Sequence, residues 1–531
     1  MGLWQKFIFI VTGYWLLERL SRWLLDCGYL RNDVIKTDNR LFPAFKYLIY
    51  KDKPRKKKFI LLHLVMILIL GFGVAHLFNN FEQLPVFIET EDAVGMDWVM
   101  RANSNVIPKS EFNFVYLDID NDTHDYWENP LFTPRNYLLS LIKAASTAKI
   151  IIVDIDLSSP TPIDGLNYHE PLHPYDKNLI DYFNNYPDYC KLNPNCPTII
   201  LARSLRSNNI SRSIFSNNHS LPLSHTKSVF SELYQAVANS NFHIQWASSL
   251  FYKSRDQILR RWSLWQPVCI DNRADIMPSI TVMTAVLLDS DTPQQAKSKV
   301  QQGLSKFKPK NCNESSIELP SQIKLGNLVF STDLFSVKQR IMYGMSWLQN
   351  GKQPNLPYML SDELDNKVLM ILPAKSYTEP NVNFDLLTNK IVIIGGSYSE
   401  GHDIHQTPLG KMPGALVLIN SIHSLLQYGN IEPLPNWLKL SITALLIMFM
   451  GMITLYVSSF GKAQIFNLLL IFILLPISIA LLRYGTWLNF ATPLIFIQLY
   501  QIAVVSVIIM LCLLSSIWRG ILQWLHNFTK A

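Results

Sequence analysis

Two short runs of the chain end in the same acidic pattern, FVYLDID over residues 114–120 and KIIIVDID over 149–156, which sets Asp118 with Asp120 and Asp154 with Asp156. Residues two apart in a strand share a face, so each pair presents two carboxylates in one direction. If the strands are parallel neighbours, four carboxylates gather at one rim, where open α/β sheets bind ligands. Such a rim would hold a hard cation or receive a cationic ligand. The bland alternative is that these short acids cap the turns that follow, or pair with Arg135.

A second chemical cluster is GGSYSEGHDIHQTPLGKMPG, residues 395–414. Neither Ser397 nor Ser399 has glycines on both sides at the spacing of a hydrolase nucleophile elbow. The Walker pattern and GxGxxG are also absent, so Gly395 and Gly396 read as a tight strand exit, with Gly410 and Gly414 as further structural turn positions. His402, Asp403 and His405 could bind a metal, but a polar loop without a fourth ligand is the default. Asp403 joins the four earlier acids as a candidate ligand contact. His169 and His173 are four apart, yet Pro171 and Pro174 oppose the helix that would align them. No catalytic residue, metal site or cofactor is therefore assigned, and the chain is not expected to be an enzyme.

These groups need elements to hold them. Apolar runs at 114–120, 149–156, 197–202 and 390–394 read as strands, and 135–148 and 176–186 as helices between them. Strands alternating with helices favour a sheet buried on both faces. Residues 291–310 and 335–350 are predicted to be further helices, and 205–225, rich in Ser and Asn, a solvated loop.

The largest composition signal is hydropathy. Residues 59–78, 440–457, 465–482 and 491–518 are long apolar stretches, and about 20 such residues cross a bilayer. The expected fold class is thus an α/β extracytoplasmic domain with one transmembrane helix before it and three after. The expected division is a basic, interfacial segment at 1–58, a span at 59–78, the α/β domain at 79–435 with an insertion near 205–320, three spans within 436–518, and a tail at 519–531. Lys and Arg crowd residues 31–58 while acids follow the first span, which places both termini in the cytoplasm and the large domain outside. The same basic block accounts for the net charge of +7 and would meet anionic lipid. It does not form the aromatic-interleaved patch of a nucleic-acid binder. Four of the six cysteines, Cys190, Cys196, Cys269 and Cys312, fall in the outer domain; Cys190 and Cys196 could close a small disulfide loop, and connectivity is otherwise open.

The strings FVYLDID, TPR at 133–135, KIIIVDIDLSSP at 149–160, KIVIIGG at 390–396, Asp403 with TPLG at 407–410, Gly414 and the helix containing His423 resemble the second type of the CHASE domain. That is an extracellular sensory module associated with bacterial cyclases and histidine kinases. The resemblance implies a receptor domain in a bacterial inner membrane. Members commonly carry an output domain after the last span, whereas only residues 519–531 remain here. The expectation is a non-enzymatic sensor or receptor subunit signalling through a separate effector. The alternative is an assembly component of a cell-envelope complex, with homo-oligomers or envelope proteins as partners.

Overall fold

The computed structural model describes residues 95–429, apart from 104–107, 109, 163–171, 207–219, 228, 255, 313–315, 319–321, 332–339, 350, 363–364 and 380–383, together with short stretches between 432 and 487. All of these lie in one compact unit, residues 68–531.

Seven strands form the central sheet: β1 (Phe114–Ile119), β2 (Ile150–Val153), β3 (Thr198–Ala202), β4 (Ile244–Ala247), β5 (Tyr358–Ser361), β6 (Lys367–Pro373) and β7 (Ile391–Gly396). Their order across the sheet is β5-β6-β1-β7-β2-β3-β4. Only the edge strand β5 is antiparallel to its neighbour; the other pairings are parallel. The inner strands are buried along nearly their whole length, which is why they read as unbroken apolar runs.

Among the described residues between 95 and 429, eight α-helices accompany the sheet: α1 (Asp97–Ala102), α2 (Asn121–Tyr126), α3 (Arg135–Ala144), α4 (Pro174–Leu192), α5 (Ser231–Ala238), α6 (Ile280–Leu288), α7 (Pro293–Leu304) and α8 (Gly414–Tyr428). On one face Leu138, Ile142, Phe183 and Leu233 of α3, α4 and α5 pack on Val115, Ile151 and Ile199. On the other, Val282 and Val286 of α6 and Leu416 and Ile419 of α8 pack on Phe114, Ile152 and Ile393. Apolar side chains alternate between the two layers along each strand, as the period of two requires.

The sequence expectation of four transmembrane helices, and with it a multi-pass inner-membrane location, is not supported. Among the described residues no helix is long and apolar enough to cross a membrane. The most apolar long helix, α8, has 15 residues, short of the roughly 20 a bilayer core needs. The 19-residue α4 carries Asp176, Lys177, Asp181, Asp188 and Lys191. What is described is a mixed α/β fold with sheets. Residues 1–58, 59–78 and 491–518 lie outside the described residues, as do most of 440–457 and 465–482.

Two further expectations are corrected. The strands bearing the two Asp-x-Asp patterns are parallel but not neighbours, because β7 lies between β1 and β2. The helix predicted over 335–350 is absent from its described part, 340–349. There the Met342 amide donates to Ser424 Oγ (3.0 Å), and the Gly344 and Met345 amides donate to Asn420 Oδ1 (3.1 and 3.0 Å). Side chains of α8 thus take the donors that a helix would have paired internally.

Candidate functional site

The acids come together at the C-terminal edge of the sheet. Asp118 of β1 lies level with Gly395 of β7, and the Asp154 amide, just past β2, donates to the Ile394 carbonyl at 2.8 Å. Asp118, Gly395 and Asp154 therefore form one row across three parallel strands, with Gly395 supplying no side chain between the two carboxylates. A Cβ on Gly395 would come within 2.8 Å of Ala415 Cβ. The glycine is what lets α8 seat directly on β7.

Asp118 is fully buried. Ser397 Oγ donates to its Oδ2 at 2.7 Å, while Oδ1 has no hydrogen-bond partner. Burial pushes the Asp118 carboxyl up to about 7, against the pull of Ser397 and the nearby Tyr116 hydroxyl. The Tyr116 hydroxyl is itself buried, off the geometry of a full hydrogen bond, and burial followed by the Asp118 charge raises its pKa well above the ordinary value.

Asp154 accepts a hydrogen bond from Ser249 Oγ at 3.1 Å. Burial, and after it the Asp403 charge, raises its pKa, with Ser249 and His405 pulling the other way. Asp403 receives His405 Nε2 on Oδ1 at 2.9 Å. Its carboxylate rests on the Cα of Gly414, the first residue of α8, in the space a Cβ would fill. The Gly414 amide donates to the Asp403 carbonyl at 2.9 Å. Gly410 turns the hairpin formed by Ile404–Thr407 and Gly410–Pro413, at φ +104°, a backbone conformation open to glycine.

The other two candidate acids act locally. Asp120 caps α2, accepting from the Thr123 amide at 2.9 Å and from its hydroxyl. Asp156 pairs with Lys227 at 2.8 Å and accepts from the Ser158 amide at 2.9 Å; although burial opposes it, these partners hold its carboxyl below the usual range. Turn capping therefore accounts for Asp120 and Asp156. Arg135 instead pairs with Asp176 at 3.4 Å and donates to the carbonyls of Asp156 and Ser159. The four-carboxylate rim is thus a three-carboxylate cluster of Asp118, Asp154 and Asp403.

Beside this cluster a cavity of about 1020 Å³ opens, with Asp154, Asp403, His405, Ser249, Tyr398 and Gly414 in its wall. Asp118 lies behind the wall. Gly396 also faces the cavity, close against the Tyr398 ring, which stacks on His124 at 4.2 Å. A crevice beyond the carboxyl ends of the strands is where open α/β sheets take ligands. Three partners were missed from sequence: Ser249 and Tyr116 carried no local signal, while Ser397 was weighed only as a nucleophile.

The remaining chemistry lies apart. His169 is outside the described residues, and His173 caps α4 by accepting from the Tyr175 amide at 3.2 Å. Among the described residues the one group of three whose ligand atoms converge is Cys190, Cys196 and His243, not His402, Asp403 and His405. Cys190 and Cys196 are disulfide-bonded, as are Cys269 and Cys312.

No curated protein and no solved structure matches the chain. A family profile, the CHASE2 domain, matches residues 63–456, about three-quarters of the sequence, and spans both acidic strands, the β7 exit and α8. By that match the chain belongs to the CHASE2 domain family of sensory domains.

Proposed function

We propose that the chain is a non-enzymatic sensor or receptor subunit that takes a cationic ligand in the cavity beside Asp154 and Asp403 and signals through a separate partner protein. Family membership supports the sensory role, and the carboxylate wall at the C-terminal edge of the sheet carries the ligand-binding reading. Burial and then the Asp403 charge raise the Asp154 pKa, so near neutral pH Asp154 still holds part of a proton that a bound cation would displace. Around these acids the polar partners are hydroxyl donors, Ser249 to Asp154 and Ser397 to Asp118.

Calorimetric titration of the full chain with Ca²⁺, Mg²⁺ and spermidine at pH 6 and 8 tests the reading. At least one of these should bind at pH 8, weaken by about tenfold or more at pH 6 as a carboxylate regains its proton, and be lost in Asp154→Asn and Asp403→Asn. Binding that survives both substitutions, or no binding by any of the three, overturns the cationic site. Catalytic turnover of a bound small molecule would overturn the non-enzymatic reading.

A further inference from the structure

At the opposite end of the sheet, three potential soft-metal ligands converge. Cys190 lies in the last turn of α4, Cys196 two residues before β3 and His243 one residue before β4. Their ligand atoms lie within 4.8 Å of one another. The backbone holds them there: the Cys196 amide donates to the Asn193 carbonyl at 2.9 Å, the Ile199 amide to the His243 carbonyl at 2.8 Å, and the His243 amide to the Ser240 carbonyl at 3.0 Å. Cys190 is 6% exposed, and the other two are half-buried.

The spacing fits a tetrahedral ion. With Zn–S near 2.3 Å and Zn–N near 2.05 Å, a sulfur and a nitrogen on one zinc stand about 3.6 Å apart. Cys196 Sγ and His243 Nδ1 are 3.6 Å apart. Two thiolates on the same ion stand about 3.8 Å apart, a separation the two sulfurs can reach once they are no longer bonded. By contrast, Cys269 and Cys312 have no such third ligand among the described residues.

We propose that Cys190, Cys196 and His243 form a zinc site that opens when the Cys190–Cys196 disulfide is reduced. The reductant is a small thiol: two thiols pass two electrons and two protons to the disulfide and become a disulfide themselves. Zinc then binds both sulfurs as thiolates, releasing the two cysteine protons. His243 Nδ1 completes an S₂N set, and a water fills the fourth position. In either redox state the end of α4 is tied to the start of β3, and in the metal form the His243 side chain at the start of β4 is ligated as well. The site stands apart from the cavity and does not depend on the proposed function.

Cobalt titration of the full chain under anaerobic conditions, with and without a phosphine reductant, tests the proposal. The reduced chain should show thiolate-to-cobalt charge transfer and tetrahedral visible bands, displaced by one equivalent of Zn²⁺, and the oxidised chain should show neither. The bands should vanish in a Cys190→Ser/Cys196→Ser double variant and persist in Cys269→Ser/Cys312→Ser. His243→Gln, which leaves the disulfide and hence the oxidised fold intact, should weaken binding by at least about tenfold, since even groups behind a ligand count for that much. Absent bands in the reduced chain, bands that survive the Cys190/Cys196 double variant, or unchanged affinity in His243→Gln overturn the site.

Discussion

Replacing Asp118 with Asn removes one buried ionisable group while leaving the side-chain shape unchanged. The asparagine carbonyl still accepts from Ser397, and its amide can face the Tyr116 hydroxyl, which has no other partner. In the folded chain the Asp118 pKa rises from 3.8 to about 7, with burial as the largest cause. Between those two values the folded state holds a proton that the unfolded state has lost, so stability falls as pH rises, and the loss is complete above about pH 7. At 1.36 kcal/mol per pH unit this amounts to about 4 kcal/mol. The variant escapes this loss. Its stability advantage over the natural chain should grow from near zero at about pH 4 to a plateau of about 4 kcal/mol above about pH 7. Denaturant unfolding of both full chains from acid to mildly alkaline pH gives the difference curve. A difference that does not change with pH across that range would refute the reasoning, because it would mean that Asp118 ionises alike in the folded and unfolded chains.

Gly414→Ala places a methyl where the Asp403 carboxylate rests; expelling that carboxylate should bring the Asp154 pKa down towards the ordinary carboxylate range, read by carboxyl-carbon NMR titration, and an unmoved Asp154 would show that Asp403 does not act on it. Asp97 bridges Arg260, at 2.8 Å, and Arg340, with all three side chains buried. Asp97→Asn should cost about 3–5 kcal/mol in unfolding free energy, because two buried guanidiniums lose their shared counter-charge; a loss below about 1 kcal/mol would mean that Asp256, at 2.8 Å from Arg260, suffices alone.

The sheet strands richest in β-branched residues were legible because burial on both faces writes them as short continuous apolar runs. β1, β2, β3 and β7 follow this rule, and their strand ends gave the acids their place. The strand order was not legible. That β7 separates β1 from β2 is decided by packing across the whole domain, and nothing in residues 114–156 announces a strand from position 391 between them. β4 and β6 went unread, although LMIL within β6 is as apolar as its neighbours. The segment 340–349 shows a different limit: its pattern suits a helix, but Asn420 and Ser424, 75 to 82 residues away, supply the acceptors for its amides. The division of labour among the acids follows from the same limit. Asp120 and Asp156 meet partners within three residues or on a loop, while Asp118 and Asp154 acquire their character from burial that only the folded sheet creates.

The proposed function also requires enough energy to move an equilibrium. A ligand shifts a two-state protein only by its difference in affinity for the two states, and carrying a population from 1:99 to 99:1 takes about 5.5 kcal/mol. A ligand must therefore engage more than one group, and Asp154 and Asp403 stand together in the cavity wall. The pair is also placed to be felt elsewhere. Asp403, which acts on Asp154, rests on the first residue of α8, and the same helix holds residues 342–345 through Asn420 and Ser424. A cation that draws Asp403 away from Gly414 therefore bears on α8, and through α8 on a segment that has no helical hydrogen bonds of its own to keep it in place. An Asn420→Ala/Ser424→Ala double variant cuts that link while leaving the cavity wall untouched. It should preserve cation affinity and abolish any cation-dependent change in amide exchange over 340–349; if the exchange still responds, the path does not run through α8.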